Sequence, residues 1–554
     1  MSNSIAPGSS VDVNVRVTAL TTNPNVPVTY KTIILKKNLV NGVNTLTQEM
    51  ISTTNTKYVI KYDFTLGENI TVPDNCILEF DGGSILANSS NDTIIGNNTG
   101  INAGLVKIFN IDVTLTGTWK LIEVYPEWFG AIADYNISSN IGTDASLAIN
   151  KAINVAETIA VPKIKFVGGY YLVTSSIQIT KGNICLEGVY GISSEGYGPH
   201  VLMKLPGIYT NTGISVISIS SLLQTHSFTI KNLNISNNYL TTHVYNAIGI
   251  NIKCGLHWPI NIENCHFQGF DKAISVDGNG NNYALAWLHI SYCGFIANNV
   301  CVYTEDKNTS YDAPYCSKQY INGFYFEHNR CHGNCCVIDV GVAWDGAYIF
   351  DNNVEGQNTT EIDDVTESPY NYIINIHSAY RANTKIEKIY SEGNTKKLLY
   401  IKGEWTPNQI EIKNITVVGN TNGGICYLTE NIYLKEYDNS YNTTIITEDI
   451  NGNGFTDKQD SVLDILCQYN LKAGTTLTIP QNTDIILHSS TFIKGNVIMA
   501  GNNMILPYYI SLYDTGKAIN YNGGAPAVGC QDIRNGKLCF YNGTAWVDAT
   551  GATV

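Results

Sequence analysis

Charge is what this chain has least of. Asp, Glu, Lys and Arg make up 14% of its 554 residues, against roughly 25% in an ordinary soluble domain. Positive charge is the scarcer sign: 33 Lys and Arg against 47 Asp and Glu leave a net charge of −14. That balance disfavours nucleic acid and anionic membranes as partners. No apolar run approaches the ~18 residues of a membrane-spanning helix, so no membrane insertion is expected. The opening Met1-Ser-Asn-Ser-Ile-Ala-Pro-Gly8 lacks a basic start and an apolar stretch behind it, so no secretory signal is expected either. No Ser-His-Asp order, P-loop or glycine-rich phosphate fingerprint stands out. Gly278-Asn-Gly280 has no helical pattern after it and reads as a turn. No cofactor is expected.

What is plentiful points to β-structure. Hydrophobic residues reach 44%, enough for a folded core, and 48 Gly and 35 Tyr make a turn-rich, strand-rich profile. With so little charge, surface polarity must come from Asn, Thr, Ser and Tyr, which suits sugars or protein partners. The 14 Cys are open to two readings, disulfides or thiols. A chain folded in a reducing cytoplasm keeps its thiols, and a buried thiol acts as a small apolar group, so free, packed cysteines are expected.

One stretch, Tyr125 to Leu172, organises the rest. Ala145, Ala148, Ile149, Ala152, Ile153 and Ala156 fall on a single stripe of a short amphipathic helix. Thr143 or Asp144 can cap its start. An aromatic-glycine turn precedes it, and β-branched strands broken by Gly pairs follow. A lone helix at the head of a long β region can cover the exposed core and unpaired edges of a stack of strands.

These residues carry a resemblance. Phe129-Gly130-Ala131, Asp144, Ala148-Ile149 with Ala152-Ile153, Val161-Pro162 and Gly169-Tyr170-Tyr171 resemble the opening segment of the pectate-lyase-like right-handed β-helix superfamily. That superfamily includes many bacteriophage tailspikes and tail fibres. The resemblance covers roughly Tyr125 to Leu428 and is more specific for fold than for activity. The family often has a Gly-Asp-Gly turn after Phe-Gly-Ala. Here Ala133-Asp134-Tyr135 and extra residues before Asp144 stand instead, so that loop has diverged. The implied fold is all-β: a right-handed parallel β-helix (solenoid) with an N-terminal capping helix and β-rich flanking modules.

The central block repeats one phrase, two or three apolar residues leading into a polar turn. Its last apolar residues are Ile235, Phe267, Phe295, Phe326, Phe350 and Tyr390, with gaps of 32, 28, 31, 24 and 40. Such periods signal stacked coils. Side chains at matched positions then form ladders, here an aromatic file inside and an Asn file at the turn. A β-sandwich or propeller with irregular strands is the alternative.

The expected organisation is an N-terminal arm at 1–30, a β-rich domain at 31–124, the β-helix at 125–430, a second β-rich domain at 431–506 and a terminal hairpin module at 507–554. The arm is either a floppy terminus or an anchor that orders on a partner. Thr32–Leu35, Tyr58–Tyr62, Cys76–Phe80, Ser84–Leu86 and Val113–Leu115 read as strands. The segment Tyr62 to Leu78 has an echo in Tyr469 to Ile485, 407 residues on. The last module has strands around an Asn542-Gly543 two-residue turn and resembles a small C-terminal module of tail proteins from phages infecting gut Bacteroidetes.

Candidate chemistry sits on the coils. Aligned phrases place Glu327 and Asp351 at the same outward position, with Glu355 and Glu392 in nearby turns. Paired carboxylates at ~5–5.5 Å suit a retaining glycosidase and at ~6.5–9.5 Å an inverting one. Acidic residues on such a face also serve simply to solvate it. His328, Cys331, His332, Cys335 and Cys336 cluster, but without two separated ligand pairs they read as packed or turn residues, and no metal is expected. Trp258, Tyr283 and Trp405 are candidates for a sugar platform, whereas Trp287 and Trp344, set among apolar residues, read as core.

By the resemblance, the chain is a phage tail fibre or tailspike in the virion tail, made in the host cytoplasm. A homotrimer is implied, joined to other tail proteins through its N-terminal region and binding host surface polysaccharide or a receptor. The alternatives are a polysaccharide depolymerase, hydrolase or lyase, using Glu327 and Asp351, and a structural tail scaffold. A lyase would want a base and a charge-neutralising cation, and neither a Ca²⁺ site nor an Arg partner is evident.

Overall fold

The computed structural model describes residues 17–18, 30–90, 92–189, 205–220, 227–237, 246–253, 259–276, 285–304, 321–357, 372–380, 383–394 and 396–403, with short strands and turns between 408 and 553. The chain forms two compact units, Met1–Tyr209 and Thr210–Val554. The architecture is the right-handed parallel β-helix that the sequence predicts.

In the first unit the strands Lys31–Ile34, Thr56–Ile60, Ile77–Phe80 and Thr93–Ala103 run parallel. Ile33, Tyr58, Leu78 and Ile101 are in register, at steps of 25, 20 and 23 residues. The region read as a β-rich domain of short strands is itself coiled. Asn55, Asn75 and Asn98 make its corners, with φ of 50°, 58° and 50°. Asparagine tolerates the left-handed region better than most residues, and Asn75 Nδ2 donates to Asn55 Oδ1 at 2.7 Å.

The predicted helix spans Ser146–Thr158 and buries Ala148, Ile149, Ala152, Ile153 and Ala156. Its two isoleucines contribute about 1.5–3 kcal/mol each on burial. It packs on Pro126–Phe129, on Thr114–Trp119 and on Lys163–Phe166. The cap position is Ala145 rather than Thr143 or Asp144, and it brings no side-chain cap; Asp144, one place earlier, accepts at Oδ1 from Ser146 N at 3.0 Å. The same carboxylate accepts from Thr174 Oγ1 at 2.6 Å, tying the helix to the coil below. Thr143 instead donates from N and Oγ1 to Asp134, 2.8 Å each, and so closes the diverged loop.

The second unit stacks the central repeats. Ile230, Ile262, Ile290, Phe326, Ile349 and Ile386 form one inward file. Ile235, Phe267, Phe295, Cys331 and Val354 form another, at steps of 32, 28, 36 and 23 residues. The Phe267 and Phe295 rings stack at 5.1 Å and 9°.

This corrects the single aromatic file read from the sequence. Phe326 lies on the neighbouring wall, although its ring still meets that of Phe295 across the core at 5.8 Å. Phe350 and Tyr390 are only half-buried. The same apolar-to-polar phrase ends strands on two different walls, so matching phrases by composition mixed the two.

An amide ladder does run along the stack. Asn334 Oδ1 accepts from Asn298 N, Gln357 Oε1 from Asn334 N, and Asn394 Oδ1 from Gln357 N, at 2.7–3.0 Å. The cysteines whose side chains are described are thiols, and all but Cys185 are buried. Cys265 and Cys293 point their thiols at Ile230 O and Ile262 O of the preceding coils, 3.5 Å each.

Toward the end of the chain, Lys537–Tyr541 pairs antiparallel with Trp546–Asp548. Tyr541 faces Trp546, so four residues rather than two separate the last paired positions. Asn542 and Gly543 lie outside the described residues, as does most of the N-terminal arm. Of the arm, Val17–Thr18 pairs antiparallel with Asn102 and Ala103.

Candidate functional site

Strand alternation sends every second side chain of a coil outward. On the wall made by Leu285–Ser291, Ile321–Glu327 and residues 342–350 of the long strand Cys336–Glu355, His289, Tyr325 and Tyr348 share one outward column. Ser291, Glu327 and Phe350 share the next. Beyond them the chain turns at Asn264, Tyr292, His328 and Asp351, all left-handed with φ between 50° and 57°. Each of the first three corners sends its N–H to the coil above: Asn264 to Ser291 O, Tyr292 to Glu327 O and His328 to Phe350 O. The corner residues are thereby held in a column as fixed as the strands.

These columns gather aromatic rings around two carboxylates. His289 Nε2 and Glu327 Oε1 are 2.7 Å apart, and His328 Nδ1 and Asp351 Oδ2 are 2.9 Å apart. Tyr292 stacks on His328 at 4.8 Å and 10°, and the edge of Phe350 meets His328 at 5.4 Å. Tyr348 lies over Phe350 at 5.5 Å and 12°, and Tyr325 is 6.3 Å from Tyr348. Burial, with the charges of Glu387 and Glu327 adding to it, raises the Tyr348 phenol above its ordinary range and keeps it a hydrogen-bond donor. Trp287, Tyr292 and Tyr325 are 43%, 64% and 38% exposed, so this surface presents large ring faces to water.

The register corrects the proposed acidic pair. Glu327 faces Phe350 on the next coil, and Asp351 is displaced to the corner. Glu355 and Glu392, by contrast, are direct register partners on the adjoining wall, below which His332 faces Glu355. Their backbones are therefore about 4.8 Å apart, the strand spacing. Asn353 Nδ2 donates to Glu355 Oε1 at 2.7 Å, and Tyr390 donates its hydroxyl to Glu392. That hydrogen bond raises the Tyr390 phenol.

The run from His328 to Cys336 is divided by the wall. Cys331, Cys335 and Cys336 are inside, with at most 2% exposure, while His328 and His332 are outside, so its members do not converge. Trp258, Tyr283 and Trp405 lie outside the described residues, as does the side chain of Trp344.

Trp287, read as core, is on the surface. With His289, Tyr292, Tyr325 and Tyr348 it was missed as part of a site. The signal was present in Phe324-Tyr325-Phe326, where a tyrosine between two buried phenylalanines must point outward.

No protein-family profile matches the chain. A stretch of 112 residues is 28% identical to the capsule K3-specific Depolymerase 1 of Klebsiella phage KP32, taking in 18% of this chain and 13% of that protein. Among solved structures, Pantoea stewartii WceF, described as a glycan biofilm modifying enzyme with a tailspike-like parallel β-helix, is 12% identical. The match covers 53% of this chain and 37% of that one, with a TM-score of 0.32. ORF18 of Geobacillus virus E2 is 15% identical over 61% of this chain and 63% of that one, with a TM-score of 0.31.

Proposed function

We propose that the chain is a bacteriophage tailspike or tail fibre that attaches the virion to a cell-surface glycan through the aromatic and carboxylate-bearing wall. The observation that carries this reading is the outward clustering of Trp287, His289, Tyr292, Tyr325 and Tyr348 around Glu327 and Asp351. Ring faces take the apolar faces of sugars, and carboxylates accept hydroxyl donors, which is the chemistry of carbohydrate binding. The partial match to a phage capsule depolymerase supports it. The reading includes a homotrimer, joined to other tail proteins through residues 1–30. Purified chain should block adsorption of the phage that carries it, and native against denatured mass should differ threefold. Unchanged adsorption at saturating protein would refute the attachment role.

One observation favours a second reading, hydrolysis of the bound glycan. Glu355 and Glu392 are stacked on successive coils, and a retaining pair needs carboxyl groups about 5–5.5 Å apart. Incubation with capsule separates the readings: new reducing ends indicate hydrolysis, unsaturated sugars indicate lysis, and neither indicates binding alone.

A further inference from the structure

Trp287 departs from its surroundings in two ways. Its backbone is left-handed, with φ of 58°, where a bulky aromatic residue rarely settles. Its indole is nonetheless on the surface, so burial of the ring is not what holds it there. The next coil is shaped to receive it. Ala286 and Leu288 pair with Asn322 and Phe324, which sets Trp287 opposite Gly323. Gly323 is left-handed too, with φ of 77°, and a Cβ there would lie 2.3 Å from Trp287 Cδ1 and 2.9 Å from its Nε1. The indole thus rests on bare backbone that any side chain would push it from. Backbone strain of this kind persists where the neighbours enforce it, and it gathers at ligand sites.

We propose that Trp287 is a ring-stacking subsite of this wall, fixed by Gly323, that takes the apolar face of an uncharged pyranose. The inference rests on the attachment reading and adds to it the class of sugar. Along the strand from Trp287 the outward places that reach the surface are His289 and, on the next coil, Tyr325 and Glu327. Hydroxyls of a sugar stacked on the indole find donors and acceptors there. A carboxylated sugar would instead bring like charge toward Glu327 and Asp351. The lysines of this wall that could offset that, Lys385 in register with Tyr348 and Lys388 over the Phe350 ring at 4.7 Å, are both three coils on from Trp287.

The test uses the full-length chain, fluorescently labelled, and a bacterial strain that it binds. Cells are treated with protease or with periodate, which destroys sugar rings. The expected result is binding that survives protease and is lost after periodate. Trp287→Ala then weakens it about tenfold, Trp287→Phe keeps most of it, and Gly323→Ala behaves like Trp287→Ala. Coincident melting curves of Trp287→Ala and the unaltered chain exclude misfolding. Affinity should change less than about twofold between ~0.05 and ~0.5 M NaCl, because an uncharged ligand leaves nothing to screen. Periodate-sensitive binding with Trp287→Ala at full strength overturns the subsite and leaves the attachment reading standing. A several-fold change with salt overturns the uncharged class. Binding that is lost to protease and survives periodate refutes the glycan itself, and the subsite with it.

Discussion

Glu327 and Phe350 occupy the same outward place on successive coils, and Asp351 lies one residue further on, at the corner. That single step decides which groups can act together. Glu327 hydrogen-bonds with His289 on the strand before it, while Asp351 pairs with His328 across the turn. The two carboxylates therefore serve separate histidines. On the adjoining wall Glu355 and Glu392 are stacked directly. In the hydrolytic reading Glu355→Gln and Glu392→Gln should each lower release of reducing ends by at least about a hundredfold, the ordinary worth of a positioned acid or base. Glu327→Gln should lower it far less. The reverse order would return the chemistry to Glu327.

The attachment reading makes its own demand on Tyr325. Its side chain points away from the core, between the buried Phe324 and Phe326. Tyr325→Ala should weaken adsorption to cells about tenfold, as loss of a ring contact does, and leave the melting temperature nearly unchanged. A fall in stability equal to the fall in binding would make Tyr325 a structural residue.

Much of this fold can be read in the sequence, and much of the site cannot. The helix stripe from Ala145 to Ala156 is legible because a period near 3.6 in six small or branched residues admits one geometry. Stacking is legible because coil-length periods admit few architectures. The register is not, because loops of unequal length separate the walls and one apolar phrase ends strands on two of them. A slip of one residue exchanges inside and outside. It moved Phe350 out of the core file and Asp351 to the corner. Trp287 was unreadable for another reason: apolar neighbours suggest burial, and only its left-handed backbone opposite Gly323 turns it outward.

The amide ladder is a structural prediction. Asn334 is fully buried and accepts from both Asn298 N and Asn298 Nδ2, 2.9 Å each, while donating to Phe295 O at 3.0 Å. Asn334→Leu keeps the volume and orphans those groups. Each buried orphan costs about 1–3 kcal/mol, so the variant should melt well below the unaltered chain at the same scan rate. A melt within a degree or so would mean that the ladder is dispensable.

Asp144 is predicted to matter for the helix rather than for chemistry. Burial pushes its carboxyl up, but hydrogen bonds from Ser146 and Thr174 outweigh that and hold it below the ordinary aspartate range. A depressed carboxylate contributes stability above its unfolded pKa that is lost as pH falls through the folded one. Asp144→Ala should therefore destabilise by roughly 1–2 kcal/mol near neutrality, the worth of hydrogen bonds to a charged group. The deficit should shrink in acid, where the unaltered chain loses the same bonds. Denaturant midpoints at the two pH values measure it.

His266 gives acid sensitivity of the same sign in a higher pH window. Its Nε2 is buried without a hydrogen-bond partner, and its Nδ1 faces Asn234 Oδ1 at 3.3 Å. The ring lies over the next coil at Gly294, where a Cβ would come within 3.0 Å of its Cδ2. Burial pushes the imidazole down to about 4, against about 6.5 in an unfolded chain. Above the unfolded value both states are neutral and His266 contributes no pH dependence. Between about 6.5 and 4 the unfolded chain takes up a proton that the fold refuses, and stability falls by up to about 3 kcal/mol. Glu187 acts lower down: burial opposes its ionisation, but Lys165 and Lys163 together bring it to about 2, so its contribution is lost only below the unfolded glutamate range. His266→Gln should flatten the stability profile between about pH 6.5 and 4.5 and leave the loss below that range intact. An unchanged slope in the upper window would show that His266 reaches water in the folded chain.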